Sequence, residues 1–380
     1  MRIGIIAGEY PPMQGGVGAY TAVLARHLAA TGHEIHLFST QDARSDEFPL
    51  TNTLIRWDYH SLSAIRAWSQ ETKLDILNLQ FQTAAFGMSP FIHFLPDFVR
   101  DIPLVTTFHD LRFPYLFPKA GPLRDWIVMH LAKTSAGVIV TNHEDAARID
   151  KLPCWRLIPI GSNILRELPS IFDTAAWRKR AGASEGDLLL AFFGLINRSK
   201  GLDTLLTSLA ELRQNGIPVR LVIVGGVAGT SDATNTAYIT EMECQISQLG
   251  LQDDVYRTGF LDDEIAVGSY LRASDAVVLP FTDGASFRRG SLMAAIHYFC
   301  PIITTVPNMQ IPEFVDGENM LFVPPSDSHA LTQAITRLHT NPALASKLRQ
   351  GASQLAQHFN WSQIADDYTE FFQRVLGASA

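Results

Sequence analysis

Ten apolar runs of strand length, alternating with segments of helical spacing, constrain this chain more than any other feature. The first five are RIGIIA, HEIHLFST, LDILNLQ, PLVTTFHD and AGVIVTN. Between them lie helix-like stretches such as GPLRDWIVMHLAKTS and AYTAVLARHLAATG, the latter with Val23, Leu24, His27 and Leu28 on one side and Gly32 as a stop. The pattern then restarts with DLLLAFFG, PVRLVIVGG, DDVYRTGF, SDAVVLPF and CPIITTV, and GLDTLLTSLAELRQNG forms a helix ending at Gly216. Near-continuous apolar strands need cover on both faces, which means parallel sheets wrapped by helices. At 380 residues the chain has room for two such units. The expected fold class is therefore α/β, with two Rossmann-like doubly wound domains facing a central cleft.

The stretch PIGSNILRELPSIFDTAAWRKRAGASEGD has no sustained period and reads as a connector. It sets expected domains of 1–165, 166–358 and a final segment 359–380. The last helix carries Tyr368, Phe371 and Phe372 on one face and is expected to pack back on the first domain. Ligands of open parallel sheets bind outside the carboxyl ends of the strands, so polar residues just after strands carry functional weight.

A net charge of -8 argues against nucleic acid as a partner. The three cysteines, Cys154, Cys244 and Cys300, form neither a disulfide framework nor a zinc pattern, which suits a reducing compartment. The opening apolar run is too short for an export signal, and no run approaches the ~20 residues of a membrane span. A cytoplasmic location is expected. FPYLFPKAGPLRDWIVMHLAK sets Trp126, Ile127 and Leu131 near Arg112, Lys119, Arg124 and Lys133. It reads either as a helix covering the first sheet or as a peripheral membrane contact.

Four strand-end features carry the candidate chemistry. EYPPMQGGVGAY places Gly15, Gly16 and Gly18 before a helix, where free backbone N–H groups meet negative charge. It is not a dinucleotide fingerprint: Thr21 stands at the third glycine position, two prolines separate it from the strand, and no acid follows the second strand. TTFHD ends a strand on His109, whose imidazole is placed to donate to a ligand hydroxyl. Gln80 and Gln82 alternate in facing, so only one of them points to the ligand side. FGLINRSKGLDTLL puts Arg198 and Lys200 beside the helix start at Gly201, a seat for a diphosphate. PFTDGASFRRGSLMAAI offers Asp283 to sugar hydroxyls, with Arg288, Arg289 and the backbone at Gly290 and Ser291 for phosphate. Each feature alone also fits a plain structural part; their shared position at strand ends is what points to a site.

These motifs resemble, in family order, those of the retaining family 4 (group 1) glycosyltransferases of GT-B fold. GEYPPMQGGVGAY is similar to the family's opening PP…GG loop, TFHD to its strand-end histidine and IPIGSNI to its hinge segment. SKGLDTLL, VIVGG, ASDAVVLPF and IPEFVDGENMLFVPPSD match further family segments. The family's two glutamates, eight positions apart, are missing. A gapless count back from Pro301 puts them at Ser286 and Ala294; a forward count from LPF puts them at Asp283 and Ser291. The family's loop arginine falls on Leu195, which leaves Arg198 or the Arg288–Arg289 pair to supply that charge.

The resemblance implies transfer of a sugar from a nucleotide diphosphate sugar, with retention; the basic loops, with no Asp-x-Asp pair or convincing His/Asp ligand cluster in the chain, suit a reaction without metal or other cofactor. Lys200, Arg198, Arg288, Arg289, Gly290 and Ser291 would hold the donor, together with Gly225, Thr258 and Ser286. His109 and Asp283 would contact the sugar, Lys200 would act on the leaving group, and Gly15, Gly16 and Gly18 would meet acceptor or phosphate. The acceptor would be a sugar, a lipid-linked or a small-molecule hydroxyl. Rival readings are a sugar-nucleotide epimerase, a sugar phosphorylase, or a non-catalytic nucleotide-sugar or glycan-binding module. Oligomeric state has no signature in the chain.

Overall fold

The apolar runs become thirteen strands in two all-parallel sheets in the computed structural model, which describes residues 1–13, 15–111, 121–164, 168–226, 233–261 and 263–379. Contacts divide the chain into two units, Met1–Asn163 with Asn360–Ala380, and Ile164–Phe359.

The first unit holds seven strands: β1 (Arg2–Ala7), β2 (Glu34–Thr40), β3 (Leu50–Leu54), β4 (Ile76–Phe81), β5 (Leu104–Phe108), β6 (Gly137–Val140) and β7 (Trp155–Leu157). Their spatial order is β3-β2-β1-β4-β5-β6-β7. The chain steps outward from β1 to β3, then returns to pair β4 with the other side of β1. Winding direction therefore reverses between β1 and β4, which opens a crevice at their carboxyl ends. Ile3, Ile5 and Ile6 of β1 have no exposed surface, as a strand covered on both faces requires. The C-terminal helix Trp361–Ser379 belongs to this unit and buries Tyr368, Phe371 and Phe372 there. Tyr368 meets Tyr20 of the Gly16–Ala30 helix, hydroxyl to hydroxyl, at 3.1 Å, and Trp361 Nε1 donates to the Ser162 carbonyl at 2.6 Å.

The second unit holds β8 (Leu188–Phe193), β9 (Val219–Val224), β10 (Val255–Arg257), β11 (Ala276–Leu279), β12 (Ile302–Thr305) and β13 (Leu321–Val323), ordered β10-β9-β8-β11-β12-β13. Here the reversal falls between β8 and β11. Leu190 and Phe192 of β8 pack with Leu205 and Leu209 of the Leu202–Gln214 helix in one buried cluster.

The structure adds elements that periodicity does not announce. Strands β3, β7 and β13 each lie at a sheet edge, and β3 and β7 have no fully buried residue. The edge strands β3 (LTNTL) and β7 (WRL) carry no continuous apolar run to read. The presumed connector contains a helix, Thr174–Arg180, capped by Asp173 accepting from Ala176 N at 2.9 Å. It has no fully buried residue, and Trp177 meets the Tyr270 ring edge-on at 5.0 Å.

The Gly121–Thr134 helix settles one of its two sequence readings for part of its length. Val128 and Leu131 are fully buried in the first unit's core, while Leu123 and Trp126 are exposed. Arg112 and Lys119 of the proposed basic flank lie outside the described residues. Among the described residues no helix is long and apolar enough to cross a membrane.

The Gly290–His297 helix ends in a left-handed residue that is not glycine. Phe299 N donates to Ile296 O and Cys300 N to Ala295 O, at 2.9 and 3.0 Å, with Phe299 at φ +53°. A Cβ costs about 1 kcal/mol or more in this conformation, and Phe299 is 40% exposed. Phe299→Gly is expected to stabilise the second unit by about 1 kcal/mol, read as a higher urea midpoint.

Candidate active site

In the second unit the reversal point gathers residues from three loops. Behind β8 the chain turns at Gly194, forms a short helical turn over Arg198–Lys200, and enters the Leu202–Gln214 helix through Gly201 at φ +68°. Lys200 Nζ donates to Ser291 Oγ at 2.7 Å, and Ser291 sits in the first turn of the Gly290–His297 helix behind β11. The ammonium lies 5.4 Å from the centre of the Phe281 ring, and the Arg289 guanidinium lies 4.5 Å from the same ring. Burial, helped by the charge of Arg289, lowers the Lys200 pKa to about 7. Among the described residues Lys200 makes no ion pair. A cation held in this way is poised to accept an anion.

Glycines allow the loops to converge. A Cβ on Gly194 would lie 2.9 Å from Lys200 Nζ, and one on Gly225 would lie 2.7 Å from the Gly194 carbonyl oxygen. Gly225 N donates to Thr258 Oγ1 at 3.2 Å, so the ends of β9 and β10 are tied together beside Lys200's loop.

The other predicted donor residues are placed differently. Arg198 turns to Glu241 at 2.7 Å and stacks over Tyr238, whereas Lys200 turns to Ser291. The carboxylate of Asp283, expected to accept from sugar hydroxyls, is ion-paired with Arg289. Arg289 also donates to Ser199 Oγ at 3.3 Å, and its backbone N donates to the Ser286 carbonyl at 3.1 Å. Arg288 and Ser286 are half-buried. Of the two counts for the missing glutamates, the forward one reaches Ser291, which contacts Lys200; Ala294 of the gapless count is fully buried.

In the first unit the glycine loop is not the open anion seat expected from its sequence. Glu9, directly behind β1, reaches back to the helix start, and its Oε1 accepts from Val17 N at 3.2 Å and Gly18 N at 3.3 Å. The chain's own carboxylate thus occupies the positive end of the Gly16–Ala30 helix. Burial raises the Glu9 pKa, against the two backbone hydrogen bonds. The signal for this lies in the quoted loop, an acid six positions before its first glycine. A Cβ at Gly15 would run into the Glu9 carboxylate, whereas one at Gly16 meets nothing within 4 Å. Gly15→Ala is therefore expected to dislodge Glu9 and cost about 1 kcal/mol, as lost helix caps do. Gly16→Ala should stay within about 0.5 kcal/mol in the same denaturation experiment.

His109 follows β5, its backbone N donating to the Phe81 carbonyl at 3.0 Å. Its Nε2 lies 2.8 Å from Gln80 Oε1, so Gln80, fully buried in β4, faces the histidine. Gln82 instead donates to Asp110 at 3.4 Å. The Tyr20 and His109 rings pack T-shaped, their centres 4.8 Å apart. Burial lowers the His109 pKa to about 3, so the imidazole is neutral throughout the physiological range.

Family models match most of the chain: "Glycosyltransferase Family 4" over residues 14–161 and "Glycosyl transferases group 1" over residues 187–341. The chain belongs to the group 1, family 4 glycosyltransferases. This glycosyltransferase is 22% identical to the phosphatidyl-myo-inositol mannosyltransferase of Mycobacterium leprae, over 99% of this chain and 97% of that one. It is 23% identical to the alpha-D-kanosaminyltransferase of Streptomyces kanamyceticus, over 76% and 75% of the two chains. The crystal structure of Anabaena Alr3699/HepE in complex with UDP superposes with a TM-score of 0.77 at 18% identity, covering 97% of this chain and 99% of that one. The shared fold is GT-B.

Proposed function

We propose that this glycosyltransferase moves a sugar from a nucleoside diphosphate sugar to an acceptor hydroxyl, with the donor diphosphate seated at Lys200. The observation that carries this is the Lys200–Ser291 pair at the reversal point of the second sheet, a half-buried cation near neutrality beside a helix start. In the reaction the bond from sugar C1 to the β-phosphate oxygen breaks, and its electron pair stays with the nucleoside diphosphate. The acceptor oxygen bonds to C1 and passes its proton to the leaving β-phosphate oxygen. Negative charge grows on the leaving diphosphate, where Lys200, the first-turn N–H groups at Gly290 and Ser291, and the nearby Arg289 stabilise it. Charge from these side chains is the basis for proposing that no metal is required. Retention at C1 is proposed with it, on the strength of the resemblance to retaining family 4 enzymes.

The proposal gives Glu9 a part in acceptor choice. A carboxylate already fills the helix start in the first unit, so an acceptor phosphate meets repulsion there while a hydroxyl finds an acceptor. Neutral polyol acceptors are favoured. UDP bound in the HepE structure supports uridine sugars as the first donors to test.

The test is release of nucleoside diphosphate from a panel of nucleotide sugars, with and without polyol acceptors, in the presence of a chelator. Turnover that survives the chelator and grows with acceptor is the expected result. A purified, folded protein that neither binds nor turns over any donor contradicts the proposal.

A further inference from the structure

The polar groups beneath His109 form a chain that ends on a backbone carbonyl, and that end determines the direction of every link. Asn78 Nδ2 lies 3.1 Å from the Val105 carbonyl oxygen. A carbonyl only accepts, so the Asn78 atom facing it must be the amide NH₂. Asn78 Oδ1 therefore faces Gln80, at 2.5 Å, and the Gln80 atom there must be its NH₂. Gln80 Oε1 is left facing His109 at 2.8 Å, and an amide oxygen only accepts. The proton on that side of the ring belongs to the histidine.

We infer that Gln80 and Asn78 are positioning residues that hold His109 as the neutral Nε2–H tautomer, leaving Nδ1 as a hydrogen-bond acceptor for the ligand. The surroundings lock the chain in place. Asn78 Nδ2 also lies 3.0 Å from Thr107 Oγ1, which is 3.1 Å from Tyr368 Oη, which in turn is 3.1 Å from Tyr20 Oη. Asn78, Gln80, Thr107 and Tyr368 have no exposed surface, so solvent does not compete for these groups. The ring itself remains partly exposed, and among the described residues Nδ1 has no protein partner.

This reverses the role expected from the sequence, in which His109 donates to a ligand hydroxyl. A ligand group at Nδ1 must bring its own proton, as a hydroxyl or an amine does; a carbonyl or phosphate oxygen finds only a lone pair. That consequence for the sugar rests on the proposed transfer reaction, whereas the tautomer does not.

Titratable groups around the ring are few. Tyr20 packs T-shaped against it, Tyr368 lies behind Gln80, and Asp110 is next in the chain. Gln80→Glu would set a carboxylate against Nε2, which favours the imidazolium, raises the pKa and protonates Nδ1 as pH falls.

The decisive experiment is nitrogen-15 NMR of the histidine rings in the full-length protein, with His109 assigned by its absence from the His109→Asn spectrum. The expected result is a proton on Nε2, none on Nδ1, and no titration between pH 5 and 8. A proton on Nδ1, or an ordinary titration near neutrality, overturns the inference whether or not the protein transfers sugar. In Gln80→Glu the same signals should titrate at least two pH units higher than in the wild type. A folded Gln80→Glu protein whose His109 still does not titrate down to pH 5 also overturns it. If that variant does not fold, Gln80→Leu replaces it, and a mixture of the two tautomers is expected there; an unchanged pure Nε2–H form would show that Gln80 does not direct the ring.

Discussion

Lys200→Ala is expected to lower kcat/KM for sugar transfer by about 10²–10³-fold while the protein stays folded, the size of effect seen when a buried charge-stabilising donor is removed. The ammonium has few competing attractions, since among the described residues its one hydrogen bond is to the neutral Ser291 hydroxyl and its near neighbours are Phe281 and Arg289. Charge on the diphosphate grows as the C1–O bond stretches, so the loss should fall more on kcat than on KM. Stability should move the other way. Folding depresses the Lys200 pKa from 10.5 to about 7, so below 7 the native state carries a partly desolvated charge that the unfolded chain would solvate. Lys200→Met should therefore gain stability relative to wild type most clearly below pH 7. That gain should fade as pH rises from 7 towards 10.5. Chemical denaturation at several pH values, paired with initial rates, separates the two effects. An unimpaired Lys200→Ala enzyme would remove the diphosphate role.

Gly201→Ala is expected to destabilise the second unit by about 3 kcal/mol or more. Gly201 combines two requirements. Its φ of +68° is left-handed, which costs an alanine about 1–2 kcal/mol, and its missing Cβ points at the Pro280 carbonyl oxygen. That oxygen belongs to backbone at the end of β11 and cannot swing aside as a side chain would. The same glycine follows Lys200 directly, and its N donates to the Arg198 carbonyl at 3.2 Å. Any shift that relieves the clash therefore displaces Lys200 from Ser291. Gly216→Ala is the control: its φ is +78°, yet nothing lies within 4 Å of the added Cβ. It should cost only about 1 kcal/mol. The difference between the two urea midpoints measures the backbone clash alone.

How much the chain reveals in advance follows from what each element buries. Strands such as DLLLAFFG read plainly because burial on both faces demands an unbroken apolar run. β3 and β7 do not, because at a sheet edge LTNTL and WRL stay partly exposed. The Thr174–Arg180 helix escapes notice for the same reason, with no fully buried residue. At the candidate site the strand-end rule picks out Lys200, Ser291 and His109 as residues worth watching. It says nothing of pairing. Arg198 engages Glu241, Arg289 engages Asp283, and Glu9 reaches the N–H groups of Val17 and Gly18. Side-chain direction settles each of these, and spacing along the chain does not encode it. The His109 tautomer is a similar case, since it depends on the Val105 carbonyl of a neighbouring strand.

Calorimetric titration of UDP, then GDP and ADP, into wild type and Lys200→Ala at pH 6.5 and 8.5 tests the diphosphate seat most directly. One of the three nucleotides should bind the wild type at a single site. Bound diphosphate holds Lys200 protonated, so affinity should be highest below pH 7 and fall by up to about tenfold per pH unit above it. Lys200→Ala should bind at least tenfold more weakly at pH 6.5 and show little pH dependence. Equal affinity in the two proteins, or no binding of any of the three, would contradict the account.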